Sequence, residues 1–280
     1  MNQILVGCDP ELFMFQNGRP VSAHGAIRGT KEEPFIVQDG AVQVDGTALE
    51  FNINPAHDVN EFINNINSVM NQLKAMVPGY EVRAVPVAEY GEEYMKTLPP
   101  IAVELGCNPD FNAWEDGKVN PKPNVQVPFR TASGHVHIGW TQDEDVYSKD
   151  HYDNCIIAVK QLDYSLGLGS MLFDKDVKRR ALYGAPGAFR PKPYGVEYRV
   201  LSNAWLRDNR LMAWVFNTVI KSLNKLSDGV YFGDVPYIKD NYNPIAILTG
   251  KQKVADWQIE DALYSCEIDL PPRIKMLEAA

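Results

Sequence analysis

The sequence predicts an α+β fold in which helices pack on the outer face of a curved antiparallel β-sheet. Four short segments alternate polar and apolar residues, so each would place two polar side chains on one face of a strand. Four longer segments repeat apolar residues at helical spacing. Because four strands of this kind favour a shared polar face, we expect the concave side of the sheet to form a carboxylate-rich cavity.

The first two segments carry acidic residues. Asp9 and Glu11 lie on either side of Pro10, which favours an edge strand or a bulge. A second strand, predicted over residues 47–54, places Glu50 and two asparagines on one face. Either strand could equally turn its polar face to solvent. Neither pair alone therefore distinguishes a ligand pocket from a solvated surface.

The third segment contains two of the five histidines. Within residues 131–140, which read TASGHVHIGW, His135 and His137 lie two apart and would face the same side of a strand. Imidazoles at this spacing stand nearly parallel and can converge on one ion. The alternative is a structural pair whose ring nitrogens are satisfied by hydrogen bonds, and the spacing leaves both interpretations open.

The fourth segment, residues 178–203, combines a carboxylate with clustered positive charge. Glu197 and Arg199 alternate within GVEYRVLS, so a carboxylate suited to a metal and a guanidinium suited to phosphate share one face. The glycines and prolines around Arg190 predict a loop that closes over the reacting centre. The arginines of the segment are Arg179, Arg180, Arg190 and Arg199.

Helices are predicted between and after these strands. Apolar residues recur at helical spacing over residues 59–77, 150–173, 209–228 and 254–266. Asp58 is a suitable N-cap for the first of them. No internal repeat or linker divides the sequence, so we expect a single domain over residues 1–280. Its C-terminal part, residues 207–280, should be mostly helical.

Composition disfavours several functional classes. The formal net charge is −9, and a broad basic surface for nucleic acid is lacking. No apolar run approaches the length of a membrane span, and the N-terminus does not resemble a signal peptide. The four cysteines have no CxxC spacing, and no feature marks Cys107 as an activated nucleophile. We therefore expect a cytoplasmic protein with reduced thiols.

The charged residues indicate a different class of ligand. Several carboxylates in one sheltered cavity repel one another unless cations lie among them. Oxygen ligands with one imidazole suit Mg²⁺ or Mn²⁺. Arginines beside such a centre bind phosphate and offset the charge of a transferring phosphoryl group. The sequence thus predicts metal-dependent phosphoryl transfer.

The order and content of the motifs also carry a family resemblance. The segments GCDPELF, VDGTALEFNINP, SGHVHIGW and RRALYGAPGAFRPKPYGVEYRVLSN, together with CNPDFNAW, resemble the type 2 carboxylate–amine ligases (amidoligases) encoded by tailed phages. These enzymes are relatives of glutamine synthetase and γ-glutamylcysteine synthetase. The resemblance spans about residues 5–205, and none is found beyond residue 210. It implies a glutamine synthetase-like half-barrel that lines the active site.

The resemblance implies roles for individual residues. Metal ligands would be Asp9, Glu11, Asp45, Glu50, His135 and Glu197. Contacts to the nucleotide would come from Asp9, His135, His137, Arg180 and Arg190. The catalytic set would be Arg180, Arg190, Glu197 and Arg199, and the sequence leaves open whether Arg179 exchanges roles with Arg180.

The implied activity is ATP- and Mg²⁺-dependent (or Mn²⁺-dependent) formation of an amide bond through an acyl phosphate. The substrates would be a small-molecule or peptide carboxylate and an amine, and a homo-oligomer is possible within this family. Two other enzymes remain open at this point: a phosphotransferase similar to guanidino kinases on the same fold, and a metal-dependent hydrolase. A binding module that has lost activity is a further alternative, which the retained acids and arginines disfavour.

Overall fold

The computed structural model describes residues 3–103, 110–123 and 127–274, and combines helices with several antiparallel sheets. The strands are β1 Leu5–Cys8, β2 Glu11–Gln16, β3 Arg19–Val21, β4 Phe35–Val37, β5 Gly40–Asp45, β6 Ala48–Ile53, β7 Glu81–Arg83, β8 Val87–Glu89, β9 Phe111–Asn112, β10 Lys118–Val119, β11 Phe129–Thr131, β12 Val136–Gly139, β13 Ala188–Lys192 and β14 Gly195–Tyr198. The helices are α1 Val59–Met76, α2 Glu92–Thr97, α3 Pro100–Val103, α4 Lys149–Leu162, α5 Leu168–Ser170, α6 Lys178–Leu182, α7 Asn209–Ser227, α8 Pro236–Asn241, α9 Pro244–Leu248 and α10 Asp256–Ser265.

Two open six-stranded sheets form the centre of the fold. Sheet 1 has the order β1-β12-β14-β13-β9-β10. Sheet 2 has the order β3-β2-β6-β5-β4, and β7 also pairs with β2. A small third sheet joins β8 and β11. All of these pairs are antiparallel, and neither large sheet closes on itself.

Helices α1, α4 and α7 form the layer behind the sheets. α1 packs on β5 and β6 and against α7, while α4 packs on β13 and β14 and also against α7. The N-caps match their sequence signals, because the Asp58 side chain accepts hydrogen bonds from Asn60 N and Glu61 N, and Asp208 accepts one from Arg210 N. One cluster of buried apolar residues runs through both sheets and all three helices.

The strand that carries Glu50 and the long helices are confirmed, and β12 and β14 contain His137 and Glu197, with His135 and Arg199 next to their ends; three details differ from the sequence prediction. Pro10 separates two strands that belong to different sheets, so the polar faces lie on two open sheets; a half-barrel does not follow from this topology. The predicted loop around Arg190 is strand β13, which pairs with β14 through a turn at residues 193–194. Residues 230–253 contain the short helices α8 and α9.

Among the residues that the structure describes, no helix combines the length and the apolar character needed to cross a membrane.

A buried carboxylate ties the helix layer to sheet 1. The π-helical turn Asp163–Gly167 continues α4, and Asp163 is fully buried in it. Its carboxylate accepts hydrogen bonds from Trp114 Nε1 at 2.6 Å and from the Tyr198 hydroxyl at 2.7 Å. Burial raises the pKa of Asp163 to about 7, although these two donors favour the ionised form. The fold therefore contains a buried acid that titrates near neutral pH.

Replacing this acid should remove one pH dependence of stability. Between the unfolded-state pKa of 3.8 and the folded-state pKa of about 7, the folded protein holds a proton that the unfolded chain has lost. The free energy of unfolding therefore falls as pH rises through this window, by at most about 4 kcal/mol for this group. In Asp163→Asn this contribution should be absent, so urea denaturation between about pH 4.5 and 7 should show a smaller loss of stability than in wild type.

Ser165→Ala is the matched control for this comparison. Ser165 lies on the same π-helical turn and is buried, but its hydroxyl contacts Ser222 Oγ at 2.8 Å and does not ionise. This variant should follow the wild-type pH profile. Parallel profiles for wild type and Asp163→Asn would contradict the prediction.

Candidate metal centre

A row of polar side chains crosses sheet 1. The register places Gly7 opposite His137, His137 opposite Glu197, and Glu197 opposite Arg190. Residues that alternate with these on the same strands, such as Tyr198, are fully buried on the helix side. Because side chains alternate between the two faces of a sheet, the polar row lies on the face away from the helices.

A second polar row crosses sheet 2. Glu11 lies directly opposite Glu50, and Glu50 lies opposite Gln43. Gln43 Nε2 donates a hydrogen bond to Glu50 Oε2 at 2.9 Å. Two carboxylates directly opposite on neighbouring strands repel each other, so this register costs free energy unless the charge is neutralised.

The two rows meet where the chain passes from β1 to β2. Asp9 N donates to His135 O at 3.4 Å and Glu11 N donates to Ser133 O at 3.0 Å, so the chain stays beside the segment before β12 through the crossing. Pro10, between them, has no N–H to satisfy, and its carbonyl accepts from Phe51 N of β6 at 3.2 Å. This bend sets the Asp9 and Glu11 carboxylates beside both sheets.

Three side chains at the junction form a group that could hold a metal, and we call it the triad. Its members are Asp9, His135 and Glu197, and one possible ligand atom from each lies within 4.8 Å of the others. His135 Nδ1 lies 3.2 Å from Asp9 Oδ1 and 3.5 Å from Glu197 Oε1. Neighbouring ligands of one octahedral ion with bonds of about 2.1 Å are separated by about 3 Å, so the separations fit one cation.

The triad has the protonation states that a divalent cation needs. Burial would raise the pKa of Asp9, but His137 and His135 hold it well below the usual range. Burial and Asp9 would raise the pKa of Glu197, but Arg199 and the two histidines lower it to about 2. Burial and the nearby Arg199 lower the pKa of His135 to about 4. Two ionised carboxylates and one neutral imidazole therefore lie together near neutral pH, in the protonation states of metal ligands, with Arg199 Nη1 in contact with Glu197 Oε1 and 3.3 Å from His135 Nδ1.

Two further carboxylates beside the triad are unfavourable as anions. Burial and the charge of Asp45 raise the pKa of Glu11 to about 7, even though Glu11 Oε2 accepts from Ser133 N at 2.7 Å. Burial and the charges of Asp9 and Glu11 raise the pKa of Glu50 well above its usual value. A bound cation would favour the ionised forms of both, because it supplies opposite charge beside them.

Positive side chains lie on the other side of the triad, around Glu197. Arg199 Nη1 donates to Glu197 Oε1, and Arg199 Nε donates to Asp110 Oδ2 at 3.1 Å. Lys192 Nζ lies 2.8 Å from Glu197 Oε2, and Arg190 Nη1 lies 3.7 Å from Glu197 Oε1. The triad therefore lies between the carboxylates of Glu11 and Glu50 on one side and the cationic side chains of Arg190, Lys192 and Arg199 on the other. This arrangement is suited to binding a metal together with an anionic ligand.

Two cavities flank the triad. The smaller cavity, about 70 Å³, is lined by Glu11, Phe13, Asp45, Gly46, Thr47, Ala48, Ala102, Arg130, Thr131, Ser133, His135, Arg179, Tyr183 and Arg199. The larger cavity, about 620 Å³, is lined by Gln3, Leu5, Gly7, Cys8, Asn52, Ile53, Pro55, His137, Gly139, Trp140, Thr141, Gln142 and Tyr194. His135 belongs to the smaller cavity and His137 to the larger one, so the centre lies between two spaces that could hold different ligands.

The structure brings together most of the residues that the sequence singled out. Asp9, Glu11, Glu50, His135, His137, Glu197 and Arg199 all lie at the junction. Asp45 lines the smaller cavity and pairs with Lys31 at 2.7 Å. Arg190 also contributes, although from strand β13 and not from a closing loop. Cys107 lies outside the described residues.

Arg180 is placed elsewhere. Its guanidinium donates to the carbonyl of Asp176 at 3.1 Å and to Ser170 Oγ at 3.2 Å, and it lies 3.6 Å from Asp174 Oδ2. Its neighbour Arg179 lines the smaller cavity instead. The short helix α6 turns successive side chains in different directions, so only one of two adjacent arginines can reach the site. Arg179, and not Arg180, therefore lies at the smaller cavity, where its Nη1 and Nη2 donate to the carbonyls of Val200 and Arg199 at 2.7 and 3.1 Å.

Several site residues were missed by the sequence analysis. Lys192 lies two residues after Arg190, so both side chains face the same side of β13. This could have been predicted if the segment had been recognised as a strand. Asp110 could be named from the sequence only as part of a pocket wall, and its contact with Arg199 was missed because it spans 89 positions of the chain. Tyr194, whose hydroxyl contacts His137 Nδ1, lies in a turn and had no sequence signal.

Comparison with known proteins leaves the family open. No protein-family model matches the chain, and no curated protein matches it.

The triad should bind a divalent cation, and Asp9→Asn should weaken that binding. The variant keeps the shape of the side chain but removes one negative charge and one strong oxygen ligand. We expect the affinity for Mn²⁺ to fall at least about tenfold, the size of loss that altered metal sites commonly show. Titration of the protein into Mn²⁺, with free ion followed by electron paramagnetic resonance, measures this directly.

Asp163→Asn provides the matched control for the metal titration. Asp163 is also a buried carboxylate, but it lies on the helix side of sheet 1 and contacts Trp114 and Tyr198. Its replacement should leave the Mn²⁺ affinity at the wild-type value. Equal affinities for wild type and a folded Asp9→Asn protein would argue against the triad as a metal centre.

Proposed function

We propose that the protein is an ATP- and Mg²⁺-dependent carboxylate–amine ligase, which forms an amide bond through an acyl phosphate. The observation that carries the proposal is the triad, with two ionised carboxylates and one neutral imidazole between two cavities. A centre placed in this way lets a nucleotide and an acceptor approach it from different sides. Mn²⁺ could take the place of Mg²⁺ because both ions prefer oxygen ligands.

The motif resemblance to the phage-type amidoligases supports the same reaction. Under this proposal, the two open sheets joined at Pro10 correspond to the half-barrel of glutamine synthetase-like enzymes, and the helix layer covers its outer face. The resemblance and the geometry also agree on the cluster itself, because the acids that the motifs imply as metal ligands lie at one junction.

The reaction takes place in two steps. The acceptor carboxylate oxygen attacks the γ-phosphorus of ATP, the bond between that phosphorus and the β,γ-bridging oxygen breaks, and ADP leaves. The nitrogen of the amine then attacks the carbonyl carbon of the acyl phosphate, phosphate leaves, and the nitrogen loses a proton. A bound Mg²⁺ would supply positive charge to the phosphate oxygens of the nucleotide.

The residues of the chain would bind and orient these groups. Arg190, Lys192 and Arg199 lie around Glu197 and would offset the negative charge that spreads over the transferring phosphoryl group. Arg179, which lines the smaller cavity, would hold the acceptor carboxylate there. His135 and Asp9 would orient the metal from the strand junction.

A ligase should release ADP only when both the carboxylate and the amine are present. We expect the purified protein with ATP and Mg²⁺ to release ADP in the presence of a suitable carboxylate and amine together, and to show little release with either alone. A coupled ADP assay across a panel of carboxylates and amines measures this. Sustained ADP release with a single acceptor would instead indicate a kinase, and hydrolysis of a substrate without ATP would indicate a hydrolase.

Arg199→Lys tests the role of the guanidinium in this reaction. Lysine keeps the positive charge but cannot bind two oxygens at once, so kcat should fall about 100-fold or more, as when one preorganised donor is lost at other sites. Arg207→Lys is the control, because Arg207 is a partly buried arginine that donates from Nε to the Ala84 carbonyl at 3.0 Å and does not line either cavity. If both variants lost activity equally, or neither did, the proposed role of Arg199 would be wrong.

A further inference from the structure

The floor of the larger cavity contains two glycines that the backbone does not require. Of the twenty glycines in the sequence, nineteen lie in the described residues, and twelve of those have a positive φ. In five others, a Cβ would approach another atom to 3.1 Å or closer. The two that remain are Gly7 and Gly139, and both line the larger cavity.

A Cβ would fit at either position. A Cβ on Gly7 would lie 3.6 Å from the Cβ of His137, and one on Gly139 would lie 3.5 Å from the Tyr194 carbonyl oxygen. These are ordinary van der Waals separations. Glycine inside a strand weakens it and often marks a place where a ligand approaches the backbone closely. Gly7 and Gly139 lie on the neighbouring strands β1 and β12, where Gly7 is opposite His137 and Gly139 is opposite Leu5, so no side chain covers the backbone at either glycine.

The walls of this cavity are aromatic and amide-bearing. Trp140 and Tyr194 contribute rings, and each ring lies beside a histidine ring, with Trp140 next to His151 and Tyr194 next to His137. Gln3, Asn52 and Gln142 contribute amides, which can both donate and accept hydrogen bonds. Among the described lining residues there is no Asp, Glu, Lys or Arg.

We propose that the larger cavity binds a flat, uncharged heteroaromatic ring that lies on Gly7 and Gly139, and that this ring is the base of the nucleotide. The inference rests on the proposed function for the identity of the nucleotide. The volume of the larger cavity, about 620 Å³, is within the range of small-molecule sites, which is about 300–1,000 Å³. His137, at the end of the cavity nearest Asp9, would face the phosphate side of the ligand.

Gly139 allows a test that adds bulk to the floor with little effect on the fold. Because its φ is not positive and its surroundings leave room for a Cβ, the variants Gly139→Ala and Gly139→Val should keep the strand intact. The probe is adenosine, which carries the base and ribose but no phosphate and needs no metal. Isothermal titration of wild type should show binding, and the dissociation constant should rise in the order wild type, Ala, Val, by about tenfold or more for Val.

Thr131→Val is the control, because Thr131 lines the smaller cavity and should leave adenosine binding unchanged. Trp140→Ala is a second variant in case Gly139→Val does not fold, and it should weaken adenosine binding about tenfold if the indole stacks on the base. Absence of adenosine binding to wild type would overturn the inference, as would equal binding by wild type and folded Gly139→Val.

The outcome is separable from that of the proposed function. Adenosine binding that weakens in the Gly139 variants would support the ring-binding site in the larger cavity, even if no combination of carboxylate and amine gave ADP release. Conversely, the protein could show ligase activity while the Gly139 variants bind adenosine as tightly as wild type. That result would support the proposed reaction and would place the base outside the larger cavity. Mn²⁺ affinity should stay at the wild-type value in both Gly139 variants, because neither glycine belongs to the triad.

Discussion

The repulsion between carboxylates that face each other across neighbouring strands is the constraint on which the rest of the site depends. Glu11 lies opposite Glu50, and Asp9 is close enough to raise the pKa of Glu50. The next pair in the same ladder, Leu12 with Leu49, is fully buried. A shift of register by one residue would move these leucines out of the core, so apolar packing holds the acids together against their repulsion. The raised pKa values of Glu11 and Glu50 reflect this repulsion together with burial, and a bound cation would relieve it.

The polar face of each strand could be predicted because side-chain alternation is a local property. Asp9 with Glu11, His135 with His137, and Glu197 with its neighbour Arg199 follow a period of two that any extended chain must obey. The N-terminal ends of α1 and α7 could also be predicted, because a single aspartate before each helix accepts hydrogen bonds from free backbone N–H groups. Local physics therefore accounts for which residues could share a site.

The assembly of the site could not be predicted, because it depends on pairings between distant residues. Proline and glycine around Arg190 indicate a loop when considered alone, yet pairing with β14 holds this segment as a strand and places Arg190 opposite Glu197. Which of Arg179 and Arg180 reaches the cavity depends on how the short helix α6 packs. The division into two sheets also depends on distant pairings. Pro10 shows where a strand is interrupted, but not with which strands the segments before and after it pair.

Strand β12 and the residue before it relate the two cavities to the triad. His135 lines the smaller cavity and His137 the larger one, and both approach the same Asp9 oxygen, at 3.2 and 3.0 Å. A ligand in each cavity would therefore meet the other at Asp9. The spacing of two histidines thus places one imidazole at each cavity, and the bend at Pro10 places the acids beside them.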